Sequence, residues 1–323
     1  MAPCGDFTFR PVHIIAANKH RQLDPTIRDF LDRVEENSPV ALKEFVGCPP
    51  DTKSCLSVER REATHASWRY VHPAGLQGTK NPFVFYVCRN QPDGTGNWET
   101  HGLAALKFAE VTQSVLIFVE IQADAASREG VTSLRTILDI LHHEAAYFDV
   151  DPDNWVMVTD GDSSPMVVDC LSTITNAPIP RPTRLVLLTP VIAAAHHDDA
   201  RYCLTSPGSA KLAREFNPSL QQLRLLPPTL IILAGVDPFR PAAEAFVQRL
   251  VTAEIETTAA CFLGAIHDFC WLAPVMEGPV TAAAHRMITG EIFAAFTTAT
   301  TTDAQHPLPN RFPKTRQSLP DGG

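Results

Sequence analysis

The sequence predicts an α/β protein built on a mostly parallel sheet, and three observations lead to this. Short runs rich in Val, Ile and Leu recur from residue 80 onwards, and amphipathic stretches with apolar residues at helical spacing separate them. Buried apolar strands that alternate with helices are typical of a parallel sheet covered on both faces. The chain has 323 residues, of which 45% are apolar, so it is long enough to bury one large core.

The first 75 residues have an irregular pattern that contains one good helical stretch, from Leu23 to Asn37. Asp24 can cap this helix, and Pro25 stands at the favoured first helical position. One face of the stretch carries its apolar side chains, Ile27, Phe30, Leu31 and Val34. We expect a surface helix that lies over another part of the protein.

Strands and helices then alternate along the chain. The predicted strands are residues 82–88, 114–121, 154–160, 184–191, 229–236 and 256–263. The predicted helices are residues 100–111, 131–148, 165–175, 241–253 and 279–296. The polar, Pro-rich end of the chain predicts a disordered tail over residues 298–323.

Charge and cysteine content exclude several classes of protein. The net charge of −9 gives no electrostatic footprint for nucleic acid, and no apolar run is long enough for a membrane-spanning helix. The N-terminal apolar stretch is too short for a secretory signal. Eight scattered cysteines without a C-x-x-C pair indicate neither a disulfide scaffold nor a zinc site. We therefore expect a cytoplasmic protein that holds no metal and acts on a small molecule.

Three polar residues follow predicted strands in an order that indicates catalysis. Ser163 lies on the turn between the strand at 154–160 and the next helix, Asp237 directly follows the strand at 229–236, and His267 follows the last strand. Residues beyond the carboxyl ends of parallel strands converge on one crevice. The order Ser, Asp, His predicts a nucleophile, an orienting acid and a general base. An N-cap serine is the structural alternative for Ser163.

The segments around these residues resemble the hormone-sensitive-lipase-like branch of the α/β-hydrolases. The matching segments are FDVDPDNWVMVTDGDSSP, LPPTLIILAGVDPFRPAAEAFVQRL and LGAIHDFCWLAP. The resemblance implies an α/β-hydrolase fold, with Ser163, Asp237 and His267 as the catalytic triad. It also implies a catalytic domain over residues 76–297, with a helical lid made of residues 1–75 and an insertion near 192–226.

The sequence departs from this family where the oxyanion would be bound. The family's H-G-G-G run is replaced by Arg89-Asn90-Gln91-Pro92, and Pro92 has no N–H to donate. The expected donors are the Ser164 N–H and the side-chain amides of Asn90 and Gln91. Pro165, which replaces the last glycine of the turn, biases Ser164 away from helical geometry.

Two enzymatic interpretations follow, and neither implies a cofactor. The first is a serine hydrolase that acts on a small or medium, uncharged carboxylic ester or lactone through an acyl-Ser163 intermediate, with specialised metabolism as one setting. The second is a lyase or cyclase that uses His267 and Asp237 for proton transfer, with Ser163 as a hydrogen-bond donor. A third interpretation, a binding protein on a decayed hydrolase, fits less well with the retention of all three residues.

Overall fold

The computed structural model describes residues 23–36, 51, 53, 55–91, 94–122, 127–173, 180–193 and 216–302. Its centre is one sheet in which the strands follow the order β1-β2-β4-β3-β5-β6-β7-β8. Strand β2 runs antiparallel to both of its neighbours, and all other pairs are parallel. The strands are β1 Cys55–Ala63, β2 Ala66–Pro73, β3 Asn81–Arg89, β4 Val115–Ile121, β5 Val150–Asp160, β6 Arg184–Leu188, β7 Thr229–Val236 and β8 Thr257–Ile266.

Helices cover both faces of the sheet. Within the described residues they are α1 Pro25–Glu36, α2 Trp98–Thr112, α3 Ser127–His143, α4 Ser164–Thr173, α5 Leu220–Leu223, α6 Arg240–Thr252 and α7 Pro279–Thr302. Helices α1, α2 and α7 bury their apolar side chains in a core on one face, and α3, α4 and α6 do so on the other. The prediction of a mostly parallel sheet between two helical layers is confirmed.

All six predicted strands are present, but the sequence analysis missed β1 and β2. Both strands fall within residues 1–75, which the resemblance assigned to a lid. That assignment is wrong for residues 55–73, because β1 and β2 extend the sheet through antiparallel ladders. Strand β1 contains the charged run Glu59-Arg60-Arg61-Glu62, so its sequence lacks the apolar pattern of a buried strand. Charged side chains are tolerated there because β1 lies at the edge of the sheet.

Helix α1 forms as predicted and rests against the carboxyl end of β8. The Asp24 carboxylate accepts a hydrogen bond from the Thr26 N–H at 3.0 Å, while the Asp24 N–H donates to the Gly264 carbonyl at 3.0 Å. The apolar face, with Ile27 and Phe30, joins the core beside β8. Helix α1 therefore lies next to the loop that carries His267.

The other parts of the predicted lid and tail are only partly covered. Residues 194–215 of the predicted insertion and residues 303–323 of the predicted tail lie outside the described residues. Helix α7 extends through Thr302, so the first residues of the predicted tail are helical. None of the helices in the described part of the chain has the length and apolar character needed to cross a membrane.

Candidate active site

The carboxyl ends of β7 and β8 bring Asp237 and His267 together. Asp237 follows β7, and its Oδ1 accepts a hydrogen bond from the Phe239 N–H at 2.8 Å, which fixes the side chain in its turn. Its Oδ2 lies 2.9 Å from Nδ1 of His267, and the imidazole is 1% exposed. This geometry holds the ring with Nε2 directed away from Asp237, as a general acid or base requires.

A second carboxylate flanks the other ring nitrogen of His267. Asp268 Oδ1 lies 3.3 Å from Nε2. Burial alone would lower the pKa of His267, but the carboxylates of Asp237 and Asp268 outweigh this and raise the pKa to about 9. Burial raises the pKa of Asp268 to about 6, although the imidazolium beside it acts in the opposite direction. His267 is therefore a proton donor at neutral pH and becomes a base as the pH approaches its raised pKa.

The structure does not bring Ser163 to the imidazole. Ser163 is fully buried in a short 3₁₀ helix, Gly161–Ser163, between β5 and α4. Its Oγ donates to the Asp160 carbonyl at 2.5 Å and lies 2.8 Å from Oγ1 of Thr159, while the Val87 carbonyl is 3.3 Å away. Ser163 lies on the predicted turn, but its hydroxyl is not exposed there, because these contacts hold it against β3 and β5.

The left-handed residue of this turn is Gly161. Its φ is +42°, whereas Ser163 is not among the residues with positive φ. The Gly161 carbonyl accepts hydrogen bonds from the Val191 N–H, at 2.9 Å, and from the Ser164 N–H. The sharp change of direction between β5 and α4 thus occurs two residues before Ser163.

Two of the three expected oxyanion donors, the Ser164 N–H and the Gln91 side-chain amide, are engaged elsewhere. The Ser164 N–H donates to Gly161, and Ser164 is helical (φ −57°, ψ −45°) despite the following proline, so both expectations for this residue are wrong. The Gln91 amide donates to Asp162 Oδ2 at 2.5 Å. The backbone N–H of Asn90 donates to the Ile121 carbonyl at 2.9 Å, and that of Gln91 donates to the Thr95 carbonyl at 2.9 Å. The backbone N–H groups of Asn90 and Gln91 are therefore used within the protein, and the Asn90 side-chain amide stays a predicted donor.

Sequence analysis missed a buried polar group beneath the site. The Tyr86 hydroxyl donates to Asp160 Oδ2 at 2.6 Å, and Nε2 of His101 lies 3.4 Å from the same oxygen. Burial lowers the pKa of His101 to about 3, so this contact involves a neutral imidazole. Burial also raises the pKa of Asp160 well above its usual range, although the Tyr86 hydrogen bond counteracts it. Trp271 stacks on His101 with ring centroids 4.1 Å apart, which makes it a core residue.

A signal for the missed carboxylates is present in the sequence. Asp160 and Asp162 flank the turn glycine, and Asp268 follows His267 directly. Burial raises the pKa of Asp162, while the Gln91 amide and the Arg89 guanidinium lower it in part. Acidic residues next to the expected catalytic positions are thus the feature that marks this site.

Comparisons with known proteins agree with this fold. A family model described as the alpha/beta hydrolase fold matches residues 136–271. This chain has the α/β-hydrolase fold. A protein of Acanthamoeba polyphaga mimivirus named as an alpha/beta hydrolase is 23% identical in an alignment of 305 positions, which covers 84% of this chain and 87% of the viral protein.

Solved esterase structures share the fold of this chain. A thermostable esterase from Pseudomonas putida superposes with a TM-score of 0.72 at 19% identity, over 85% of this chain and 98% of its own. Carboxyl esterase 2 from Tuber melanosporum superposes with a TM-score of 0.70 at 18% identity, over 85% of this chain and 100% of its own. The chain is therefore carboxylic-ester-hydrolase-like in its architecture, and its substrate has to be inferred from the site.

Proposed function

We propose that this α/β-hydrolase acts on a small or medium, uncharged carboxylic ester or lactone, with His267 and Asp237 as its proton-transfer pair. The observation that carries the proposal is the 2.9 Å contact between Asp237 Oδ2 and His267 Nδ1 at the carboxyl ends of β7 and β8. In this position Asp237 fixes the tautomer of the ring and stabilises the imidazolium.

The charge around the imidazole supports an uncharged substrate. Asp237 and Asp268 both face the ring, so two carboxylates surround the single positive charge of the imidazolium. An anionic substrate would meet like charges in a buried site, where electrostatic repulsion is weakly screened. A neutral ester or lactone avoids this cost.

An acyl-Ser163 intermediate is not part of the proposal. Attack from Ser163 needs its Oγ within hydrogen-bond reach of the general base. The described contacts instead hold Oγ against Asp160 and Thr159. Proton transfer by His267 is the part of the expected chemistry that the geometry supports.

A lyase or cyclase step is the second candidate function. The raised pKa of His267, about 9, favours it because the imidazolium is the form present at neutral pH and can donate a proton. Product analysis separates the two candidates. Hydrolysis yields a free acid and an alcohol, whereas a lyase or cyclase step incorporates no oxygen from solvent.

The test is a panel of uncharged esters and lactones, each paired with an analogue that carries an extra carboxylate. We expect turnover of neutral members and loss of that turnover in H267Q and D237N. H143Q is the matched control, because His143 is exposed on α3, where Nδ1 lies 2.7 Å from the Asp139 carbonyl and the ring packs against His142. Full turnover in H267Q, or no turnover of any ester by the wild type, would reject the proposed function.

A further inference from the structure

We infer that Gly161, and not Ser163, occupies the position from which enzymes of this fold attack, so that a water molecule activated by His267 replaces the serine hydroxyl. The claim that Gly161 occupies the attacking position depends only on geometry. The claim that water replaces the serine hydroxyl rests on the proposed function.

The turn after β5 has the shape of a nucleophile elbow in which Gly161 takes the central position. In that motif, G-x-S-x-G, the nucleophile stands on a sharp turn between strand and helix, with a small residue two positions away on each side. Here the sharp turn is Gly161, with φ +42°. The residues two positions before and after it, Thr159 and Ser163, have their hydroxyl oxygens 2.8 Å apart. Thr159 and Ser163 thus fill the two flanking positions.

A side chain on Gly161 would point at the general base. A Cβ built on Gly161 would lie 4.0 Å from Nε2 of His267 and 3.7 Å from Oδ1 of Asp268, and it would meet nothing closer. One further bond, to a hydroxyl oxygen, brings that oxygen within hydrogen-bond reach of Nε2, about 2.6–3.2 Å. The Ser163 hydroxyl does not point toward His267, because its Oγ donates a hydrogen bond to the Asp160 carbonyl.

A buried polar atom at this point needs a partner. Nε2 of His267 has no hydrogen-bond partner among the described residues, and the imidazole is 1% exposed. Asp268 Oδ1 is 3.3 Å from Nε2, which makes an ion pair without the alignment of a hydrogen bond, and the Trp271 side chain also interacts with the Asp268 carboxylate. Buried polar groups are nearly always satisfied, and ordered water commonly supplies the partner. The unpartnered nitrogen therefore marks a site for water or for a substrate oxygen.

The resulting reaction lacks the acyl-enzyme step of a serine hydrolase, because water attacks the ester directly. The water oxygen forms a bond to the ester carbonyl carbon while its proton passes to Nε2 of His267. The bond between that carbon and the leaving oxygen then breaks, and His267 returns the proton to the leaving alkoxide. The products are the acid and the alcohol, and no acyl-enzyme forms.

The test compares G161S with G161A, which adds the same Cβ without the hydroxyl. Each purified full-length protein is incubated with an alkyl fluorophosphonate between pH 7 and pH 10, and the modified peptide is identified by mass spectrometry. In G161S the introduced hydroxyl oxygen displaces fluoride from phosphorus, and its proton goes to His267. We expect an adduct at position 161 in G161S and none in the wild type, in G161A or in G161S/H267Q.

Two results would overturn the inference. One is an adduct on Ser163 in the wild type, and the other is a G161S protein that melts like G161A but stays unlabelled. The left-handed backbone at position 161 disfavours any side chain. If G161S does not fold, the intact mass of the wild type during turnover of an activated ester decides. An acylated wild type rejects the inference, and an unmodified enzyme during turnover supports it.

Labelling of G161S requires no natural substrate, so it separates this inference from the proposed function. An adduct at position 161 in a protein whose wild type hydrolyses none of the panel keeps the positional inference and rejects the proposed function. Turnover that depends on His267 in the wild type, with a folded and unlabelled G161S, keeps the proposed function and rejects the inference.

Discussion

Replacement of Ser163 by alanine is expected to destabilise the protein without abolishing its chemistry. The hydroxyl is fully buried and links the Asp160 carbonyl, at 2.5 Å, with Oγ1 of Thr159, at 2.8 Å. The S163A variant leaves Thr159 without this partner. A buried polar group that loses its partner costs about 1–3 kcal/mol, so we expect the free energy of unfolding to fall by that amount.

The control for this variant is S164A. Oγ of Ser164 is buried and has no hydrogen-bond partner among the described residues, so its removal is expected to be nearly neutral or stabilising. Urea denaturation of both variants gives the change in unfolding free energy, and the ester panel gives turnover. A catalytic serine shows the opposite pattern: a loss of turnover of about 10⁴-fold or more in S163A, with unchanged stability. That result would refute the assignment of Ser163 to the structural support of the turn.

Three further predictions concern the base and the loop. The effects of H267Q and D237N on turnover are expected to be non-additive, because either change disables the same pair; a double variant that loses the product of the two single effects would show independent roles. The rate of hydrolysis with His267 as base is expected to rise with pH up to about 9, the raised pKa of the imidazole. The protonated imidazole stabilises the fold fully below its ordinary pKa of about 6.5, and this stability is lost as the pH rises through about 9. A flat rate profile, or an unfolding free energy that does not fall over this range, would contradict this prediction. G96A is expected to destabilise the loop by at least about 1–3 kcal/mol, since Gly96 has φ +73° and a Cβ would lie 1.7 Å from the Arg89 carbonyl oxygen; an unchanged denaturation midpoint would contradict it.

Much of the fold could be predicted because its inner strands are continuous apolar runs. Strands β3 to β7 lie between two helical layers, so few of their positions needed to be polar, and the pattern is clear. Strand β1 is different, since its edge position places Arg60 and Glu62 in solvent, where they pair with each other at 3.1 Å. A pattern rule that looks for buried strands does not detect such an edge strand.

The pair Asp237 and His267 could be predicted because each residue directly follows a strand. The turn near Ser163 could not be fixed in the same way. The letters G-D-S match the family motif when Gly161 is taken as its first glycine, but β5 continues to Asp160 and leaves Gly161 as the turning residue. The predicted strand and β5 both end at residue 160, so the backbone conformation of the turn, which the sequence does not determine, decides which residue faces His267.

The contacts of Asp162 and Asp268 could not be predicted from the sequence either. Both carboxylates are buried, and the partner of Asp162, the Gln91 side-chain amide, comes from a distant part of the chain. Their raised pKa values follow from this burial and from the neighbouring charges, and local sequence determines neither.

A high-resolution crystal structure of G161S tests the central claim most directly. We predict that the introduced hydroxyl lies about 2.6–3.2 Å from Nε2 of His267, the distance at which a general base takes a proton. We also predict that Ser163 keeps its hydrogen bonds to Asp160 and Thr159 in the same crystal. A hydroxyl at position 161 that points away from the imidazole, with Oγ of Ser163 against Nε2 instead, would contradict the account.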